Sequence, residues 1–135
     1  MVLLDTNVCI RLLNQAHPGI EQRFRTLGPT QIALCSVVKW ELLYGAYRSG
    51  RVDANLQRLR LFFAPLKSLP FDDACAEHAA LIRADLAAQG RPIGPNDLLI
   101  AAIARAHDAT LITHNVGEFG RVAGLRLEDW EEQEG

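Results

Sequence analysis

The stretch Met1–Asn7, MVLLDTN, decides the reading of the fold, because three apolar residues, Val2, Leu3 and Leu4, run straight into Asp5. An apolar triplet of this kind reads as a short strand fit for a protein interior. A carboxylate removed from water without a partner is costly, and it ends up protonated, hydrogen-bonded or beside a cation. Asp5 is therefore either a helix cap at the edge of the fold or one wall of a site for something positive.

Working outward, DTNVCIRLLN turns helical, with Asp5 to Asn7 supplying capping side chains. HPGIEQRFRTLG reads as a second helix with Gly28 beyond its end, and QIALCS as a buried strand whose Ser36 caps the helix VVKWELLYGAYRSG. DANLQRLRLFFAPL is a further helix stopped by Pro65, KSLPF a short extended piece, and Asp72 to Gln89 a long alanine-rich helix. After the turn-rich GRPIGPN come the helix DLLIAAIARAH, the strand TLIT, the loop HNVGEFGRV and a last extended segment, GLRLEDW. Strands separated by helices of this length predict an α/β fold, a mainly parallel sheet covered on both faces. Ligands collect outside the carboxyl ends of such strands. Asp5 lies at one such end and Asn115 just past another.

The remaining composition excludes several classes. At 135 residues the chain reads as a single domain over 1–135, with one core. No run of about 18 apolar residues suggests a membrane span, and no basic start or cleavage site suggests a signal peptide, so a cytoplasmic location is expected. The three cysteines sit in apolar contexts with no CxxC, and the four histidines form no HxxxH pair. They read as buried thiols in a reducing compartment, and this spacing points to no zinc site. A net charge of −2 carries no global signature of nucleic-acid binding, although twelve of the fourteen cations are arginine, whose planar fork suits phosphate.

Four places put an acid or amide in apolar surroundings: Asp5, Glu41 within SVVKWELLYG, Asp97 at the start of PNDLLIAAIA, and Asn115 with Glu118 in THNVGEF. Singly, each has a plain explanation. Asp5 and Asp97 suit a helix N-terminus, Glu41 can reach water from a helix edge, Glu118 reads as an exposed loop acid, and Asn115 as a turn residue. Together they are harder to dismiss, because a parallel sheet opens the ends of both strands, and the starts of the helices after Ser36 and Asn96, onto one edge. Carboxylates converging there repel one another unless a cation neutralises them. Oxygen ligands alone suit Mg²⁺ or Mn²⁺, ions that equip a site for attack on a phosphodiester.

Four ordered motifs, LLDTN, WELLYG, GRPIGPNDLLIAAIA and LITHNVGEFGRVAGLRLEDW, resemble PIN-domain ribonucleases, most of all the VapC toxins of toxin–antitoxin pairs; the resemblance runs from Val2 to Trp130. It implies a three-layer α/β/α sandwich and a metal-dependent endoribonuclease that inhibits translation, using Mg²⁺ with Mn²⁺ as a substitute. The family's acids fall on Asp5, Glu41 and Asp97, and Thr6 matches a supporting hydroxyl. Asn115 stands where many PIN domains have a fourth Asp, and Glu118 is placed to restore that charge. Arg11 and Arg91 are candidate phosphate contacts. The resemblance also implies an RNA substrate (transfer RNA in some relatives), a cognate VapB-like antitoxin and a homodimer. WELLYGAY and LRLFFAPL are candidate surfaces for these partners, although Trp40, Tyr44, Phe62 and Phe63 read first as core.

Aspartyl-phosphate chemistry fails, since it needs an acid where Asn7 stands and the only lysines are Lys39 and Lys67. The alternative from another class is a non-catalytic PIN-like module that binds RNA or protein, which Asn115 keeps open.

Overall fold

The apolar triplet does form a strand, β1 (Val2–Leu4), and it lies at the centre of the sheet. The structure, a computed structural model, describes residues 1–131; positions 132–135 of the predicted domain lie outside the described residues. β2 (Ile32–Cys35), β3 (Lys67–Leu69), β4 (Thr110–Ile112) and β5 (Leu127–Glu128) complete the order β3-β2-β1-β4-β5. Every pairing is parallel.

The helices between them are α1 (Thr6–Leu13), α2 (Pro18–Thr26), α3 (Ser36–Tyr47), α4 (Val52–Phe63), α5 (Asp73–Ala88), α6 (Pro95–Ala106) and the single turn α7 (Val116–Phe119). Crossovers between parallel strands are right-handed. The chain steps one way from β1 through β2 to β3, so α1 to α4 cover one face; it steps back to β4, so α5 and α6 cover the other. The result is the three-layer α/β/α sandwich that the resemblance implied. Burial on both faces explains why the central strands are apolar runs without alternation: Leu3, Leu4, Ala33, Leu34, Cys35, Leu111 and Ile112 are fully buried. On α6 the run Ile100–Ala104 is equally buried, its alanines allowing close approach to the sheet.

Local details depart from the sequence reading. Ser36 is not the cap of α3: Cys35 holds that position without a side-chain bond, and the Ser36 hydroxyl accepts the Phe71 N–H at 3.3 Å. Because β2 runs directly into α3, Ser36 is already helical and its side chain ties down the β3–α5 connection instead. The predicted loop HNVGEFGRV contains the turn α7, with Asn115 at its cap position. Trp40 and Tyr44 are not core but 48% and 53% exposed, with Tyr47 further along the same face, whereas Phe62 and Phe63 are half-buried. Only the face of α3 bearing Val37, Val38, Leu42 and Ala46 meets the sheet.

Helix ends repeat one device. Beyond α5, Gly90 has φ +65°, its N–H reaches Ala87 O and the Arg91 N–H reaches Leu86 O, which satisfies orphan carbonyls through a left-handed residue. Gln15 and Asp108, with φ 51° and 53°, do the same after α1 and α6 at a steric cost that glycine avoids. Gly90→Ala is expected to cost about 1 kcal/mol, although nothing lies within 4 Å of the added Cβ. Gln15→Gly should gain up to about 1 kcal/mol. Urea unfolding of both variants measures this, and equal stability would show that backbone handedness is not limiting.

Candidate active site

The pairing of Leu4 with Ile112 carries the next residues, Asp5 and Thr113, past the end of the sheet side by side. Asp5 is 5% exposed and caps α1, one carboxylate oxygen accepting the Val8 N–H at 2.9 Å. The buried Thr113 hydroxyl also bonds its carboxylate, and accepts the Asn115 N–H at 3.0 Å. Asp5 is thus a cap and a buried acid at once.

α3 begins one strand away. Glu41, one turn beyond its start and half-buried, accepts the Thr6 hydroxyl at 2.7 Å. That bond joins the residue after Asp5 to the second acid and fixes its rotamer. Asp97 lies in the first turn of α6, behind Pro95 at the helix start, and is half-buried. Glu118, on α7, clamps two loops: one oxygen accepts the Gly94 N–H at 2.7 Å and the other the Asn115 side-chain N–H at 2.9 Å.

The acids feel one another. Burial raises the Asp5 pKa above the usual Asp value, against the Thr113 and Val8 hydrogen bonds that lower it, and the charges of Glu131 and Glu41 raise it further. Asp97 is pushed up to about 6, first by burial, then by the charge of Glu118 and a hydrogen bond with it, then by Glu41 and Asp5. Glu118 moves the other way, held low chiefly by the Gly94 N–H. Below about pH 6 the proton of this carboxyl pair therefore resides on Asp97, because Glu118 has the better donors. Like charges spread apart, and the oxygens of Asp5, Glu41 and Asp97 do not all come within 4.8 Å of one another among the described residues.

Beside Asp5 a cavity of about 570 Å³ opens, lined also by Asn7, Arg11, His114, Asn115 and Glu131. Arg11 Nε pairs with Glu131 at 3.0 Å, and His114 Nδ1 lies 2.9 Å from an oxygen of Asp129. That hydrogen bond, with the charges of Glu131 and Asp129, raises the His114 pKa. Arg91 is exposed, and its guanidinium makes no hydrogen bond or ion pair among the described residues. Asp5, Thr6, Glu41, Asp97, Asn115 and Glu118 are thus brought together; Arg11 lines the groove and Arg91 stands apart. Sequence reasoning missed Thr113, which ends β4 just as Asp5 ends β1 and bore the same signature. It also missed Glu131, which nothing distinguished from the acidic residues around Trp130.

A model of the PIN domain family matches residues 2–125. The tRNA(fMet)-specific endonuclease VapC of Shigella flexneri is 41% identical over 128 residues, covering 95% of this chain and 96% of that protein. The chain belongs to the PIN-domain ribonucleases of the VapC family. Ribonuclease VapC2 of Rickettsia felis is 36% identical over 130 residues, covering 96% of this chain and 97% of that one. The crystal structure of VapBC2 from Rickettsia felis bound to a promoter DNA fragment contains a chain that superposes with TM-score 0.90 at 36% identity, covering 96% of this chain and 99% of that chain. The gathered acids thus stand in a nuclease toxin of the VapC family.

The crowding has a measurable consequence. Between pH 3.8, the ordinary Asp value, and about 6, the folded state keeps the Asp97 proton that the unfolded chain has lost. Stability therefore falls as pH rises through that window. In chelator, the melting temperature should drop between pH 5 and pH 7, while Asp97→Asn flattens the profile and melts higher at pH 7. An Asn variant that melts lower at pH 7 would mean that the charge is not what strains the site.

Proposed function

We propose that the chain is an endoribonuclease toxin that hydrolyses RNA phosphodiesters with Mg²⁺, Mn²⁺ substituting, at the site of Asp5, Glu41 and Asp97. The observation that carries this reading is the electrostatic strain itself: Asp97 is raised to about 6 by burial and by the charges of Glu118, Glu41 and Asp5, and Asp5 is raised by burial and by the charges of Glu131 and Glu41. Oxygen donors alone fit a hard cation. Their spread also fits an ion that keeps several waters and binds one or two carboxylates directly. In this reading Asp5 and Asp97 hold it, and Glu41 reaches it or a water beside it.

When bound, such a cation lowers the pKa of water and offsets the charge that develops on the phosphoryl oxygens. The chain's own residues supply the positioning. Val8 N–H and Thr113 fix Asp5, Thr6 fixes Glu41 where it orients an attacking water, and Glu118 fixes Asn115 and the Gly94 backbone beside Asp97. In-line attack leaves a 5′-phosphate and a 3′-hydroxyl and needs no 2′-hydroxyl nucleophile. RNA preference must therefore come from shape and loop recognition. The groove beside Asp5 supports entry of a strand there, with Arg11 contacting phosphate after exchanging its Glu131 partner. Arg91, unpaired among the described residues, is a second phosphate contact further out. Transfer RNA is the substrate class favoured by the activity of the Shigella flexneri relative, a tRNA(fMet)-specific endonuclease.

Solved relatives in VapBC complexes support a cognate VapB-like antitoxin for this chain. The exposed face of Trp40, Tyr44 and Tyr47 supports contact with that antitoxin or the second subunit of a homodimer. So does an adjacent cavity of about 290 Å³ lined by Ile10, Leu13, Leu42 and Leu59. Among the described residues no helix is long and apolar enough to cross a membrane, and three free, buried cysteines suit the cytoplasm.

Purified protein incubated with total transfer RNA and Mg²⁺ should cleave it, and EDTA should abolish cleavage. Asp5→Asn, Glu41→Gln and Asp97→Asn should each lose about a hundredfold or more in rate while remaining folded. Folded, antitoxin-free protein that cleaves no RNA would favour the binding-module alternative, and cleavage persisting in EDTA would exclude metal catalysis. In the same assay Arg11→Ala should raise KM several-fold with little change in kcat. Asn115→Asp should keep or strengthen Mg²⁺ binding and Glu118→Ala weaken it. Calorimetry showing equal Mg²⁺ affinity in Glu118→Ala and wild type would remove Glu118 from the site.

A further inference from the structure

Two residues that carry no role in the nuclease site meet a third across the helical layer of α5 and α6. Asp72 caps α5, its carboxylate accepting the Cys75 N–H at 3.0 Å, and Cys75 follows in the first turn. His107 sits at the cap that ends α6. The start of α5 packs against the end of α6, as the Arg105–His78 hydrogen bond of 2.9 Å between the two helices also records. A carboxylate oxygen of Asp72, the Cys75 sulfur and a ring nitrogen of His107 consequently lie within 4.8 Å of one another. We propose that Asp72, Cys75 and His107 form a zinc site, with water as the fourth ligand, that staples the β3–α5 connection to the end of α6.

The chemistry separates this cluster from the acidic groove. Thiolate and imidazole favour a borderline ion such as Zn²⁺, and Mg²⁺ competes poorly for them. In a tetrahedral zinc shell neighbouring ligand atoms stand about 3.5 Å apart, so the side chains need to close by only about 1 Å. Accessibility is graded in the useful direction: Asp72 is exposed, His107 half-buried and Cys75 wholly buried. An arriving ion meets oxygen first and sulfur last, displacing the thiol proton to solvent as the Zn–S bond forms. The cation would face the positive end of α5, where Asp72 and the Cys75 thiolate offset the dipole, and the negative end of α6, which attracts it. His107, moreover, has no hydrogen bond among the described residues that binding would break.

Metal-stripped protein titrated with Co²⁺ should develop thiolate-to-cobalt charge-transfer absorption together with the visible bands of a tetrahedral ion, and Zn²⁺ should displace it at about one ion per chain. Excess Zn²⁺ should raise the melting temperature by roughly 5 °C. Cys75→Ser and His107→Gln should lose the signal and the stabilisation while leaving RNA cleavage unchanged. Cys9→Ser and Asp5→Asn should keep both. Absence of the charge-transfer band in wild type would overturn the proposal. Its persistence in Cys75→Ser or in His107→Gln, or its loss in Asp5→Asn, would do the same.

Discussion

The carboxylate at the end of β1 sets the terms for the rest of the molecule. Asp5 is held out of water by the packing that makes the sheet, and α1 starts on it, so it cannot retreat to solvent without unwinding the first helix. Desolvation makes its charge expensive, and Glu41, Glu131 and Asp97 add repulsion instead of relief. A fold that keeps such a cluster carries an electrostatic strain that a cation would relieve. The hydrogen bonds from Thr6, Thr113, Val8 N–H and Gly94 N–H fix the carboxylates in rotamers without neutralising them. Stability and cation binding are therefore two sides of one electrostatic arrangement.

The parallel sheet makes that arrangement possible at small size. Every βα junction opens on the same edge, so residues distant in sequence reach one groove through short connections: Asp5 after β1, Glu41 in the helix after β2, and Asn115 and Glu118 after β4. α6 delivers Asp97 to the same edge from the opposite face of the sheet. Nothing long or irregular is needed to build the site. The clamp of Glu118 on Gly94 and Asn115 ties the loop before α6 to the turn α7, and the Arg121 guanidinium, just past that turn, adds a bond to Pro92 O at 3.0 Å. The position of Asp97 depends on that tie as much as on its own helix.

The surface divides by chemistry in a corresponding way. The groove carries oxygen donors flanked by Arg11 and His114, suited to a hard cation and a phosphate strand. The aromatic side of α3, beyond Glu41, presents apolar area suited to another protein. Regulation by a bound polypeptide near that face would act within one helix of the acids, since Trp40 and Glu41 are adjacent residues of α3.

The sequence by itself determined the order of strands and helices and the parallel class of the sheet, and it singled out Asp5, Glu41 and Asp97 as the candidate acids. Those signals are local: an apolar run ending on a charge, a helix start beside an acid, a proline at a first turn. Other features were decided only by tertiary structure. Which face of α3 is buried depends on the layer it packs against, so its composition suggested core aromatics where Trp40 and Tyr44 meet solvent. Ser36 looked like a cap until β2 was seen to run straight into the helix. Spacing likewise showed no metal pattern in the cysteines and histidines, yet antiparallel packing of α5 on α6 sets His107 against Cys75, thirty-two positions apart in the chain. Thr113 and Glu131 acquire meaning only beside Asp5. Such proximities arise from how layers close on one another, and no periodicity within a segment encodes them.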